Sequence, residues 1–336
     1  MLTVLCESPG KLVTEDRPRP QRQAGEVLIR VRRVGICGTD LHIFTGNQPY
    51  LSYPRVMGHE LSGVVEEADD DARLAPGDPV YVMPYLSCNH CVACRQGKTN
   101  CCTTMQVLGV HRDGALTEYL CVPAPFVHKA EGISLDQAAM LEFLAIGAHA
   151  VRRSEVVAGA KVLVAGAGPI GLATMLFARL RGAEVVALDT RQDRLDFAHK
   201  HLDIRAAVAL SDDTDAEMTR LTAGDHFDVV FDATGNARAM EHGFRWIAHG
   251  GRYVLLSIVQ SQIAFSDPEF HKREATLLAS RNATTEDFET VLAAMRGGQV
   301  PDAALATHRM ALEDVVQHFA TLLDPQQGVI KAIIEC

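Results

Sequence analysis

Two rhythms of apolar and polar residues divide the chain. Up to about position 125 the apolar residues come in short runs with alternation, each closed by Gly, Pro, Asn or Asp. Glu26-Val-Leu-Ile-Arg-Val-Arg32 reads as a half-buried strand, and Ser62-Gly-Val-Val-Glu66, Pro79-Val-Tyr-Val82 and Glu118-Tyr-Leu-Cys-Val122 continue the pattern. This predicts a β-rich domain, a partly open barrel. From Lys161 the period lengthens. Strands are expected at 162–165, 184–189, 228–232 and 253–257, with helices at 169–181, 193–201 and 237–248. Strands alternating with helices of this length imply βαβ units and a parallel sheet, with ligands at the carboxyl ends of the strands. A helix at 285–296, the pair Gly297-Gly298 and a final helix and strand close the chain.

Length and charge narrow the possibilities. At 336 residues two domains fit better than one, and 47% hydrophobic with 22% charged residues is ordinary globular usage. Thirty-two basic against 42 acidic residues give a net charge of −10, which argues against a general nucleic-acid or anionic-membrane binder. The stretch 162–178 is free of charge for 17 residues, but three glycines and Pro169 interrupt it. A buried strand, turn and helix account for it better than a membrane span, which needs about 20 apolar residues. Positions 1–10 lack a basic segment followed by a long apolar run, and nine cysteines cannot all pair. The expectation is a cytosolic chain with reduced thiols open to metal.

Gly166-Ala-Gly-Pro-Ile-Gly171 follows an apolar strand, opens a helix, and precedes Asp189 at the end of the next strand by 18 residues. The first glycine permits a tight turn. The second lets a pyrophosphate approach the backbone. The third lets helix pack on strand, and helix amides hold the phosphate charge. Asp189 suits ribose hydroxyls and would repel a 2′-phosphate, favouring NAD over NADP, although Arg191 and Arg194 lie nearby. The expected cofactor-binding set is Gly166, Gly168, Pro169, Ile170, Gly171, Asp189, Arg194 and Thr234.

Cys88-Asn-His-Cys91-Val-Ala-Cys94, followed after seven residues by Cys102, has the spacing of a closed tetrahedral zinc site with a structural role. Cys101 leaves the fourth ligand open between two neighbours. Cys37, the pair His59-Glu60, and Glu142 within Met140-Leu-Glu-Phe-Leu144 are individually weak signals. A carboxylate among apolar residues is costly unless paired, and a metal would satisfy it. Cys, His and Glu leave a fourth zinc position open, the arrangement of a catalytic site.

With these parts in this order, the chain resembles the zinc-dependent medium-chain dehydrogenase/reductases, which include alcohol, sorbitol and threonine dehydrogenases. The resemblance rests on Gly35-Ile-Cys-Gly-Thr-Asp-Leu-His42, Gly58-His59-Glu60, the four-cysteine lobe and the glycine turn with Asp189, and it covers nearly the whole chain. It implies an α/β architecture: a GroES-like β-barrel catalytic domain, 1–150 completed by 283–336, with a Rossmann doubly wound parallel-sheet domain inserted at 151–282. It implies catalytic zinc on Cys37, His59 and Glu142, with Glu60 binding directly or exchanging, and a second, structural zinc on Cys88, Cys91, Cys94 and Cys102. Thr39 corresponds to the hydroxyl that bonds the reacting alcohol, and His42 to the histidine that passes the proton outward. Polyol-type members carry proline after the glutamate; here Phe143 stands there. Dimers and tetramers are both common in the family, so a homodimer or homotetramer is expected.

Within the family the chain most resembles bacterial sugar-acid dehydrogenases, the branch that includes L-galactonate and L-gulonate 5-dehydrogenases. The matching stretches are Gly46-Asn-Gln-Pro-Tyr50, Tyr53-Pro-Arg-Val-Met-Gly-His-Glu60, Leu108-Gly-Val-His-Arg-Asp-Gly114, Phe265-Ser-Asp-Pro-Glu-Phe-His-Lys272 and Ser280-Arg-Asn-Ala-Thr-Thr-Glu-Asp-Phe288. An aldonate carboxylate needs cationic and polar partners, for which Asn47, His111, Arg112, Lys272 and Arg281 are candidates. The rivals are a neutral polyol or L-threonine dehydrogenase, and a non-catalytic NAD- and zinc-binding redox sensor. Substrate profiling separates the first. Loss of Cys37, His59 or Glu142 would have favoured the second, and all three are present.

Overall fold

The 11-residue strand Glu26–Ile36 is buried at seven of its positions, Val27, Leu28, Ile29, Val31, Val34, Gly35 and Ile36, too many for one face. It runs through the middle of a sheet and needs neighbours on both edges and both faces. A computed structural model, which describes residues 1–48, 51–70 and 73–336, places it so. Pro49 and Tyr50 of the 46–50 stretch lie outside the described residues. Along one edge Glu26–Ile36 pairs antiparallel with Glu60–Glu67; along the other it pairs with Tyr119–Pro123 at its start and Ala332–Glu335 at its end. Pro79–Val82, Val127–Lys129 and His308–Ala311 complete a seven-stranded sheet. Register shifts between Leu28 and Ile29 and between Val31 and Arg33 mark irregularities that bend the sheet towards a barrel. Pairing with Ala332–Glu335 sets the late segment of the chain beside Ile36, one residue before Cys37.

This first unit comprises Met1–Glu142 and Leu292–Cys336; the second is Phe143–Val291. The chain passes between them inside helices Leu141–Arg153 and Thr285–Arg296. The expected boundaries at 150/151 and 282/283 therefore fall several residues away from the edges of these units.

The second unit holds six parallel strands in the order Ala206–Ala209, Glu184–Asp189, Lys161–Ala165, Phe227–Asp232, Ile247–Leu255, Thr276–Ala279. Strand order reverses at Lys161–Ala165, which makes its carboxyl end the switch point where such sheets bind ligands. Helices Pro169–Leu180 and Gln192–Leu202 are the connections to and from Glu184–Asp189.

The region 237–257 differs from its expected reading. Helix Ala237–Gly243 stops early, a 3-10 turn Phe244–Trp246 follows, and the strand runs Ile247–Leu255. The apolar run Trp246-Ile247-Ala248 continues a helical pattern by composition. However, Ile247 pairs with Phe227 in the sheet, and the Trp246 indole donates to Asp215 at 2.7 Å. Tertiary contacts override the local pattern. Strands Ala206–Ala209 and Thr276–Ala279, at the two edges of the sheet, were not expected. Each is four residues long and partly exposed, so neither carries a strong apolar signature.

Candidate active site

In the lobe, Cys88, Cys91, Cys94 and Cys102 bring their sulfurs within 4.8 Å of one another. Short helix Val92–Arg95 starts at Cys91, and the 3-10 turn Thr99–Cys101 returns the chain. Cys101 is exposed while Cys102 is buried in the cluster, which decides between them. Amides point at the sulfurs: Cys88 N donates to Cys102 Sγ at 3.2 Å and Cys91 N to Cys88 Sγ at 3.3 Å. Backbone bonds lower the Cys91 thiol to about 5 and the Cys88 thiol to about 7. Burial and the neighbouring sulfurs push the Cys94 thiol up to about 12, so Cys88 and Cys91 are the sulfurs these bonds bias towards the thiolate, the metal-binding form.

A second centre lies in the barrel. Cys37 caps helix Gly38–Phe44, and its amide donates to Asp40 Oδ2 at 2.9 Å. Asp40, fully buried, also takes the Gly58 amide on Oδ1 at 3.1 Å, and that oxygen lies 3.7 Å from His59 Nδ1. One aspartate thus ties the Cys37 turn to the His59 turn. Cys37, His59 and Glu60 place ligand atoms within 4.8 Å of one another. Glu60 is clasped by Lys331, whose Nζ donates to its two oxygens at 2.7 and 2.6 Å and to Ile36 O at 3.1 Å. Gly35 makes this possible: a Cβ there would come within 2.3 Å of Glu60 Oε2.

Glu142 falls outside the 4.8 Å group. Its Oε1 accepts from the Tyr85 hydroxyl, and its Oε2 is buried with no hydrogen-bond partner. Burial pushes its carboxyl up to about 7. Burial opposes charge on His59, but Asp40, Cys37 and Glu142 outweigh it and raise its pKa well above the ordinary value. Four acidic or thiol groups thus surround one histidine and one lysine, with a carboxylate oxygen left over. A divalent cation fits this donor set. Asp40, Tyr85 and Lys331 escaped the sequence reading. Lys331 alone left a trace, as a lysine inside Val329-Ile-Lys-Ala-Ile-Ile334.

Thr39 is half-buried and His42 exposed, three residues apart on the helix that Cys37 caps. Asn47 is exposed, and its side chain donates to Thr45 at 3.1 Å. His111 Nδ1 accepts the Val107 amide at 3.0 Å, and Arg112 is exposed. In the second unit, Arg281 is exposed and Lys272 pairs with Glu269 at 2.8 Å along one surface helix.

The glycine turn sits at the switch point. Gly166 has φ +93°, and a Cβ there would come within 2.8 Å of the Ala233 carbonyl; one on Gly171 would come within 1.7 Å of Gly166 O. Nothing lies within 4 Å of a Cβ built on Gly168, which caps helix Pro169–Leu180. That amide end faces open space. Asp189 accepts from Ala167 N at 2.6 Å and Arg191 N at 2.8 Å, fixing its carboxylate beside the turn. Thr234 Oγ1 donates to the buried Asp232 at 2.8 Å. A cavity of about 740 Å³ opens here, and Gly166, Gly168, Asp189 and Thr234 form part of its walls. Pro169, Ile170, Gly171 and Arg194 are not among those walls: Gly171 is packed under the turn and Arg194 is buried on helix Gln192–Leu202.

A parallel sheet with a glycine turn at its switch point in one unit, and in the other a barrel bearing a Cys-His-Glu centre and a four-cysteine lobe, define a zinc- and NAD(P)-dependent dehydrogenase. Residues 23–132 match the alcohol dehydrogenase GroES-like domain, and residues 169–296 match the zinc-binding dehydrogenase family. The chain is 41% identical over 335 residues to an L-galactonate-5-dehydrogenase of Escherichia coli K12, covering 99% of this chain and 98% of that one. It is 32% identical over 317 residues to a 2-dehydro-3-deoxy-L-galactonate 5-dehydrogenase of Pseudoalteromonas atlantica, covering 94% and 92%. A solved structure of rspB from Escherichia coli CFT073, described as an alcohol dehydrogenase complexed with NADH, superposes with a TM-score of 0.93 at 30% identity and covers 100% of this chain and 99% of that one. The chain belongs to the zinc-dependent medium-chain alcohol dehydrogenase family, whose members oxidise an alcohol with a nicotinamide cofactor. Among the described residues, no helix is long and apolar enough to cross a membrane.

Proposed function

We propose that this chain oxidises a secondary hydroxyl of a sugar acid, of the L-galactonate or L-gulonate type, to a ketone and passes the hydride to NAD. The observation that carries the reading is the 41% identity, end to end, with the Escherichia coli L-galactonate-5-dehydrogenase. Bound zinc supplies Lewis-acid polarisation of the substrate hydroxyl, and bound NAD supplies the hydride acceptor. Cys37, His59 and a carboxylate hold the catalytic ion, with Glu60 and Glu142 sharing the carboxylate role. The Lys331 clasp on Glu60 and the open Oε2 of Glu142 support that division. Cys88, Cys91, Cys94 and Cys102 hold the structural ion. Thr39 accepts the substrate hydroxyl proton as it releases its own, and His42, exposed one turn further on, hands a proton on to water.

Preference for NAD over NADP follows from Asp189, which meets the ribose hydroxyls. Of the neighbouring arginines, Arg191 binds Asp193 at 3.0 and 2.6 Å, and Arg194 is buried on its helix and does not line the cavity. The substrate carboxylate is met by one or two of Asn47, His111, Arg112, Lys272 and Arg281. The reading includes a reducing, cytosolic setting and a homodimer or homotetramer. The test is NAD reduction across L-galactonate, L-gulonate, sorbitol, L-threonine and ethanol. The expected kcat/KM for one of the two aldonates is well above that for sorbitol or ethanol. Equal activity on neutral polyols overturns the substrate assignment.

A further inference from the structure

Three carboxylates are buried at the barrel centre: Asp40, Glu60 and Glu142. Their oxygens can be followed one by one. Asp40 Oδ1 takes the Gly58 amide, and Oδ2 takes the Cys37 amide. Both oxygens of Glu60 take the Lys331 ammonium. Glu142 Oε1 takes the Tyr85 hydroxyl. Glu142 Oε2 alone has no hydrogen-bond partner among the described residues, a costly state for a buried carboxylate oxygen.

Tyr85 decides which oxygen is left over. A carboxylate only accepts, so the tyrosine O–H is the donor, and its one proton engages one oxygen. The tyrosine is buried, on strand Tyr85–Leu86, which pairs antiparallel with Gln106–Val107. Glu142 lies in the first turn of helix Leu141–Arg153. The bond joins residues 57 apart and stops the carboxylate from exchanging its two oxygens by rotation. Glu60 is held differently. Its partner is a charge and both of its oxygens are used, so drawing it onto an ion would break a buried ion pair. Glu142 has a neutral partner and one oxygen to give.

We propose that Tyr85 is a positioning residue for the catalytic metal: its hydroxyl holds Glu142 Oε1 and so reserves Oε2 for the ion, while Lys331 keeps Glu60 as a counter-charge. The inference rests on the zinc reading and adds to it a residue that acts through a ligand. Partners of this kind fix the orientation of a ligating carboxylate, and losing one costs about 10–100-fold in metal affinity.

Tyr85→Phe removes the hydroxyl and keeps the ring. The zinc-loaded wild type and this variant are titrated with a chelator, and the ions retained per subunit are counted, with the lobe ion as internal reference. The expected result is one ion held about 10–100-fold more weakly and the other unmoved. Cobalt loaded in place of the weaker ion has a visible spectrum that reports its ligands, and that spectrum shifts in Tyr85→Phe. Glu142→Ala weakens the same ion by itself, and adding Tyr85→Phe to it costs no more. An unchanged cobalt spectrum or unchanged retention in a folded Tyr85→Phe, equal weakening of both ions, or losses that add in the double variant overturn the positioning role while the zinc reading survives. Where Tyr85→Phe does not fold, Glu142→Ala decides: selective loosening of one ion supports the proposal, and two ions held as tightly as in the wild type overturn it. A wild type that retains fewer than two ions per subunit overturns the zinc reading and the proposal with it.

Discussion

The four-cysteine lobe and the Cys37 centre are both candidate metal sites in the same unit, built on opposite plans. The lobe draws its ligands from 15 consecutive positions, 88 to 102, and its sulfurs are tuned by amides of the same loop. The Cys37 centre draws on positions 37, 40, 59, 60, 142 and 331, and its charges are balanced by side chains brought together only by the sheet. The first is a staple whose ligands all lie within one loop. The second exists only in the finished barrel. Opening the local site costs stability and leaves the reactive side chains in place, whereas removing a ligand from the distributed one stops the reaction and leaves the hydrogen-bonded barrel around it.

Substitutions can break this comparison. The largest effect is expected at Cys37→Ser: turnover falls by more than roughly a thousandfold, with the melting temperature nearly unchanged and zinc dropping from about two to about one per subunit. Metal analysis, calorimetry and NAD reduction on one preparation read all three. Next comes Lys331→Met, which strands the buried Glu60 carboxylate and costs about 3–5 kcal/mol of stability. Glu60→Gln in the same chain should restore much of that, and a denaturant series on the two proteins measures it. Cys91→Ser opens the staple: the melting temperature falls by several degrees while folded subunits keep catalysing. If Cys37→Ser and Cys91→Ser merely lowered stability alike, the two plans would not differ in role.

A third cluster, in the other unit, sharpens the same point without metal. Asp287 accepts from His149 at 2.8 Å, from Arg152 at 2.7 Å and from Thr284 at 2.8 Å. Burial works to raise its carboxyl, but these partners hold it far below the usual carboxylate range. A depressed folded-state pKa contributes stability that is present above the unfolded value, about 3.9, and is lost as pH falls below it. Asp287→Asn should therefore flatten the acid limb of a stability-versus-pH curve below about pH 4. An unchanged limb would mean that the cluster contributes nothing through charge. The smallest effect is expected at Cys101→Ser, within about 0.5 kcal/mol of wild type, because that exposed thiol stands outside the lobe.

Legibility in the sequence followed the same division. The glycine turn, Asp189 and the lobe could be read because each depends on residues a few positions apart. Strands 162–165 and 184–189 and helix 285–296 were readable from their own periodicity. Asp40 and Tyr85 were not, since a helical aspartate and a strand tyrosine look ordinary until the fold sets them beside His59 and Glu142. The Trp246–Asp215 bond joins residues 31 apart, and the helical pattern around Trp246 pointed the wrong way. Periodicity records which face is buried, not which partner it meets.

Glu60 and Lys331 are separated by 271 residues. At about 5–20 residues per second, the carboxylate is synthesised ~15–50 s before the ammonium that neutralises it. Through that interval Glu60 has no counter-charge of its own and stays hydrated, so the barrel cannot seal around it. The cysteine lobe is complete 42 residues after Glu60, at Cys102, and can take its ion while most of the chain is still unmade. The order of synthesis thus completes the lobe's ligand set first and the reactive centre's last, when Lys331 arrives.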